Sequence, residues 1–199
     1  MALQGLQKQR IWMIQEKYVS LQQTSMTMKK GDCILCPGEK ERTLYYITNV
    51  RGDKCEALKI YISSAQIQAL DYPNEYDIDL PDNVVFLPSN TYKQVKGIIK
   101  EYVIKMRGII KKEVIRGDFE IIAGYTYTQR GFIYTMDHIE DNRWYYKVFR
   151  IEEEFVSPHW TGNASIDSLK DYLLPISEKT IDKVLRLYNS LQKDITDIL

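Results

Sequence analysis

The chain is short of cysteine, histidine, long apolar runs and net charge. Among 199 residues there are three cysteines and two histidines. An odd trio of cysteines does not make the disulfide framework of a small secreted domain. Cys33 and Cys36 have the C-x-x-C spacing, but no second pair and no nearby histidine completes a zinc site. On the strand expected there, residues three apart face opposite sides and do not chelate one ion together. No phosphate-cradling glycine-rich loop and no H-E-x-x-H pair occurs. No stretch approaches the roughly 18 apolar residues of a membrane span. Gln4, Gln7, Lys8, Gln9 and Arg10 interrupt the first residues, where a signal peptide would carry an apolar core. The expected address is the cytoplasm, with no cofactor and no metal. Lysine plus arginine (27) balances aspartate plus glutamate (27). That excludes a globally basic nucleic-acid coat and an acidic DNA mimic, and leaves local patches open.

What is present is a core and a repeat. Apolar residues make up 44% and charged residues 27% of the 23.4 kDa chain, enough for one ordinary domain or two small ones. Lys30-Gly31-Asp32 opens one strand-rich stretch and Arg116-Gly117-Asp118 another. Arg42-Thr43-Leu44-Tyr45-Tyr46 recurs as Arg130-Gly131-Phe132-Ile133-Tyr134, and Lys59-Ile60-Tyr61 as Lys147-Val148-Phe149. Leu87-Pro88 matches Leu174-Pro175, and Thr91 and Val95 match Thr180 and Val184. Each copy has a Gly-Asp start, an apolar strand (32–36 or 118–122), a polar loop, and two β-rich runs around a tight turn. A variable excursion then leads to a last short strand and a helix. Ser177 is the expected cap of a helix whose apolar face runs through Ile181, Val184, Leu185, Tyr188, Leu191, Ile195 and Ile198. Tyr92, Val95, Ile99, Tyr102 and Met106 form the same stripe in the first copy, with Gly108 the expected stop. Leu3, Leu6, Met13, Ile14, Tyr18 and Leu21 suggest a further amphipathic helix. The expected fold is α+β and mostly β: an N-terminal helix over 1–27, a first SH3-like barrel with its closing helix over 28–112, and a second, degenerate one over 113–199. An open sheet is the alternative.

At this level the first copy resembles the MazF/PemK (CcdB-like) ribonuclease toxins. Lys29-Lys30-Gly31-Asp32, then Arg42, then Tyr61-Ile62-Ser63-Ser64 stand in the order of the family's pattern, over about residues 28–108. The chain departs from it with Arg42-Thr43 in place of Arg-Pro and with Ile151-Glu152 where the second copy's Ser pair would fall. The resemblance implies metal-free RNA cleavage by attack of the 2′-hydroxyl on the neighbouring phosphate. Arg42 would supply the cation for the developing charge, and Ser64 or Ser63 a hydrogen bond to a phosphate oxygen. Asp32 and Glu41 lie near in sequence without being placed. The resemblance also implies a toxin–antitoxin or mobile-element setting with an inhibitory partner, and two fused copies would form within one chain the dimer that such toxins make from two. The plain structural reading makes Arg42 a solvated charge and Ser63-Ser64 a strand end.

Other candidates carry two readings each. Lys96, Lys100, Lys105, Arg107, Lys111, Lys112 and Arg116, against Glu101 and Glu113, make a basic stripe that either binds RNA phosphates, together with Arg130, or is a solvated helix face. Among the 15 tyrosines, Tyr45, Tyr46, Tyr125, Tyr127, Tyr145 and Tyr146 either stack bases or fill a barrel. Asp71, Glu75, Asp77, Asp79 and Asp82 read either as a divalent-metal site or as a solvated acidic loop, and the Trp160 segment as a binding or packed loop. His138 beside Asp137 lacks a nucleophile placed near it. Three functions compete: an RNA-binding protein or endoribonuclease, a non-catalytic tandem-barrel module that binds another protein (a phage or host-defence factor, for example), and a structural subunit assembled through its terminal helices.

Overall fold

The computed structural model describes residues 27–38, 41–78, 83–114, 125–128, 130–169 and 173–199. The elements in order are β1 (Cys33–Pro37), β2 (Glu41–Arg51), β3 (Lys54–Ser63), β4 (Ile67–Asp77), β5 (Val85–Leu87) and α1 (Thr91–Val114). They continue with β6 (Tyr125–Thr128), β7 (Phe132–Glu140), β8 (Arg143–Glu152), β9 (Phe155–Ser165), α2 (Ile166–Leu169), β10 (Leu173–Ile176) and α3 (Glu178–Thr196). The protein is thus α+β and predominantly β. The strands form one antiparallel sheet in the order β10-β6-β7-β8-β9-β4-β3-β2-β1-β5. This pairing leaves the sheet open, with β5 and β10 at its ends, where two closed barrels were the expectation.

The order has a two-fold logic. Outward from its middle, one half runs β4-β3-β2-β1-β5 and the other β9-β8-β7-β6-β10. In both halves a three-strand meander is followed by the first strand, set between the second and the fifth. A bulge recurs in the same place in the second strands' pairings, at Ile47/Asn49 and Met136/His138, and the next pairings are also interrupted, at Ala57/Lys59 and, two residues further along, at Val148/Arg150. The halves meet where β4 pairs β9 at Ile67–Val156 and Gln68–Phe155. Beyond these two pairs the Ala69 N–H donates to the Glu154 carbonyl at 2.8 Å.

Alternation along the strands explains the two sides of the sheet. Cys33, Leu35, Leu44, Ile60 and Ile62 face a core shared with Ile133, Phe149, Ile151 and Val156 of the other half. The apolar stripes of α1 (Val95, Ile99, Val103, Met106) and α3 (Val184, Tyr188, Leu191, Ile195) close it. Ile34, Ile47, Cys55 and Ala57 point the other way and form a second cluster with Met28. Cys33 and Cys36 accordingly lie on opposite sides, and all three thiols are free. Ser177 caps α3 by accepting from the Thr180 N–H. Glu113 at the end of α1 joins that cap, accepting from the Ser177 N–H at 2.8 Å and from the Thr180 hydroxyl.

Several expectations shift. The acidic stretch is strand, not loop: β4 runs through Asp71, Glu75 and Asp77, and Pro73 sits in the register shift opposite Ala57 and Lys59, where the ladder needs no N–H from it. The Trp160 segment is likewise part of β9. The second copy's first described strand is β6, within the segment expected to be polar loop. The strand expected at 118–122, residues 1–26 of the helix expected over 1–27, Asp79, Asp82 and Arg116 lie outside the described residues. The helix α1 runs through Gly108 to Val114, with no strain at a glycine that keeps helical geometry.

Candidate functional site

The strand register decides what the Arg42 and Ser63 positions do. Arg42 of β2 pairs with Ile62 of β3, and Glu41 pairs with Ser63. Paired residues share a face and neighbours alternate, so Arg42 lies on the helix-covered side and Ser63 on the other. Both Arg42 and Ser64 are exposed. The Ser63 hydroxyl serves its own turn: it accepts from the N–H groups of Ala65 (3.2 Å) and Gln66 (3.1 Å) and donates to the Gln66 carbonyl (3.3 Å). Helix α3 then holds this hairpin, as Tyr188 Oη donates to the Ser64 carbonyl at 3.4 Å and Gln192 Nε2 to the Ser63 carbonyl at 3.2 Å. The Ser63 hydroxyl is thus spent on a docked turn, in which Ser64 is exposed and held through its carbonyl.

Arg130 does not occupy the place of Arg42. Phe132 pairs with Arg150 as Thr43 pairs with Tyr61, and Ile133 with Phe149 as Leu44 with Ile60. These equivalents, like Thr91 and Thr180, stand 89 residues apart. Gly131 therefore matches Arg42, and exposed Arg130 matches Glu41. A slip of one residue moves a side chain to the other face of a strand.

The basic stripe is partly neutralised. Lys96 pairs with Asp71 and, at 3.5 Å, with Glu154. Lys105 pairs with Glu101 at 2.7 Å within the helix, and Arg107 reaches Glu153 at 4.0 Å. Lys100, Lys111 and Lys112 are exposed, without an ion pair among the described residues. Most described tyrosines are engaged in packing. Tyr45 meets Tyr76 edge-on at 5.3 Å, Tyr46 packs on Tyr92 at 5.8 Å, Tyr134 meets Tyr146 at 4.7 Å, and Tyr145 stacks on His138 at 4.5 Å. Lys59 sits over the Tyr61 ring at 4.0 Å, with Tyr45 and Tyr76 beyond. The side chains of Tyr125 and Tyr127 lie outside the description.

Three tyrosines are expected to set the alkaline limit of the fold. Burial pushes Tyr92 and Tyr188 from 10.0 up to about 12, and a hydrogen bond to Asp194 raises Tyr102 as far. A hydroxyl whose ionisation is raised on folding contributes its full stability below pH 10 and loses it as pH climbs through the folded value. Stability is expected to fall between pH 10 and 12, with these three phenols ionising only as the chain unfolds. Tyrosinate absorbance at 295 nm followed alongside circular dichroism checks this. Smooth ionisation of every tyrosine near pH 10 with the fold intact would contradict it.

Sequence reasoning missed the seam between the halves. Beside the short β4–β9 pairing lies a hollow of about 670 Å³, lined by Gln68, Tyr72, Arg107, Arg150, Glu152 and Phe155 among others. It adjoins a second of about 440 Å³ over α1, with Ile99, Val103 and Ile104 in its lining. Ala69, Arg107, Glu153 and Glu154 border both. Arg150 is held between Phe132 (5.2 Å) and Phe155 (4.5 Å) and pairs with Glu152 at 2.7 Å. Its Nε and the hydroxyl of Ser157, opposite it in the register, are buried without a hydrogen-bond partner among the described residues. Two large apolar side chains stand exposed here, Tyr72 (62%) and Ile104 (61%). Only the pairing of β4 with β9 brings these residues together, and no local motif announces that pairing.

Fold and site together define an α+β protein with one duplicated-order antiparallel sheet and an open groove at its centre. No family model, characterised protein or solved structure matches the chain. Among the described residues no helix is long and apolar enough to cross a membrane, and no cluster of three or more His, Cys, Asp or Glu is arranged to hold a metal.

Proposed function

We propose that this chain is a non-catalytic interaction module made of two fused, SH3-like units of MazF/PemK type, and that its working surface is the seam groove. The strand order supports the unit: in each half a meander with its first strand set beside the fifth is an order from which a small barrel is built. The observation that carries the non-catalytic reading is the Ser63 hydroxyl, spent on its own turn, with Arg42 directed to the opposite face. A phosphoryl-transfer site needs its cation and its hydrogen-bonding groups converging on one phosphate. In that reading the toxin-like ancestry survives as scaffold, and the partner is a protein in a mobile-element or defence setting.

RNA binding is the second reading, favoured by the exposed lysines Lys100, Lys111 and Lys112 along α1. One assay tests both. Wild type and Arg42→Ala are incubated in EDTA with end-labelled single-stranded RNA. Neither is expected to cleave, and any retention of the RNA should be weak and fall steeply with salt. Discrete cleavage by wild type, lost in Arg42→Ala, would restore the endoribonuclease and discard the interaction module.

A further inference from the structure

We propose that the hollow over α1 receives a tyrosine side chain carried by a partner protein. The inference rests on the interaction-module reading and names the chemistry of the partner. It comes from comparing the two equivalent sites that the duplicated order creates within one chain.

In each half the hairpin between the third and fourth strands leans on the closing helix of the other half. The hairpin of the first half, Ser63 to Gln66, rests on α3. There Tyr188 fills the space, edge-on to Phe149 at 5.7 Å, and its hydroxyl donates to the Ser64 carbonyl. Gln192 donates to the Ser63 carbonyl and, at 3.4 Å, to the Tyr188 hydroxyl. The hairpin of the second half, Glu152 to Phe155, leans on α1 through the Lys96–Glu154 and Arg107–Glu153 pairs.

At the same spacing of 89 residues, Ile99 stands for Tyr188 and Val103 for Gln192. Neither side chain has a donor to offer the carbonyls of Glu152 and Glu153, which correspond to those of Ser63 and Ser64. Neither reaches as far as a phenol, and the 440 Å³ hollow is lined by both. Its size suits a ligand pocket. The lining balances three cations, Lys96, Lys100 and Arg107, against three carboxylates, Asp71, Glu153 and Glu154, so the occupant is neutral. Exposed Ile104 offers it an apolar lip. An aromatic ring with a donor at its tip completes the second site as Tyr188 completes the first.

The test titrates N-acetyl-tyrosinamide into the full chain and follows backbone amide shifts. Saturable shifts at α1 and at residues 152–155, with N-acetyl-phenylalaninamide about tenfold weaker, are the expected result, since one hydrogen bond distinguishes the two. A tyrosine-bearing peptide should bind at the same residues. If p-cresol binds there while the peptide is excluded, the site is for small phenols and the partner tyrosine is overturned. Ile99→Tyr should abolish binding by filling the hollow from within. Should that variant not fold, Ile104→Glu on the exposed rim must weaken binding with melting unchanged. Equal binding of the phenylalanine analogue, or no saturable shift at these residues up to about 10 mM ligand, overturns the proposal. Either result with RNA left uncut discards the tyrosine and not the module; RNA cleavage lost in Arg42→Ala discards the module itself.

Discussion

Replacing Gly131 with alanine is expected to destabilise the protein by about 3 kcal/mol or more. Two causes add. Gly131 has φ +89, a region that L-residues with a Cβ occupy only at a cost. A Cβ built there also falls 2.2 Å from the carbonyl oxygen of Ile151. That oxygen has little room to retreat, because the Ile151 N–H donates to the Gly131 carbonyl at 2.8 Å and the residue is fully buried in the shared core. Gly31 supplies the control. It has φ +95, but no atom lies within 4 Å of its added Cβ. Gly31→Ala carries the backbone cost alone, about 1–2 kcal/mol. Urea midpoints of the two variants measure the difference. Equal losses would mean that the entry to β7 yields, and that its tight approach to β8 is not a fixed feature of the fold.

The same residue shows where the sequence was legible. Periodicity placed both closing helices and the Ser177 cap, because apolar spacing and capping chemistry are local. The paired strands around Gly52 and Asp141-Asn142 were equally readable, since turn residues and alternation reinforce each other; Asp141 and Asn142 both adopt positive φ, as a two-residue hairpin turn requires. Register was not readable. Matching Arg42 to Arg130 follows residue identity, whereas the ladder aligns Arg42 with Gly131. Identity weighs one residue, while the ladder sums the burial of Leu44, Ile60, Ile133 and Phe149 on one face. The acidic stretch of β4 misled for a related reason. Its charges pair with Lys54 and Lys96 from β3 and α1, partners that only the folded chain supplies. The groove was invisible because its lining comes from β4, α1, β8 and the turn into β9, which no window of sequence contains. The Ser63-Ser64 pair was visible, but its partners Tyr188 and Gln192 lie more than 120 residues away.

Whether the halves are independent is answered by the thiols. Cys33, Cys36 and Cys55 all belong to the first half; burial raises each thiol's ionisation, and Cys33 and Cys55 are buried while Cys36 is half-buried, so Cys33 is a shielded reporter of opening. Ile151 belongs to the second half, is fully buried, and faces the core shared by α1 and α3. Truncating it to alanine is expected to cost about 2–5 kcal/mol. In one cooperative unit, that loss must appear at Cys33, on β1 in the other half. Its reaction with an aromatic disulfide, measured where opening limits the population of reactive thiol, should then accelerate at least about 30-fold, the factor matching about 2 kcal/mol. Two units folding separately would leave Cys33 at its wild-type rate while β8 melts. The short seam argues for separation, since β4 and β9 share only two paired positions. The core argues against it: Val95 and Ile99 of α1 belong to one cluster with Ile151 and Val156, and Leu191 of α3 to the same cluster with Leu44 and Ile60. Apolar burial outweighs the two ladder positions here, because each fully buried side chain contributes about 1.5–3 kcal/mol and each hydrogen bond about 1. The duplicated order therefore describes how the strands are arranged, and the shared core predicts that they unfold together.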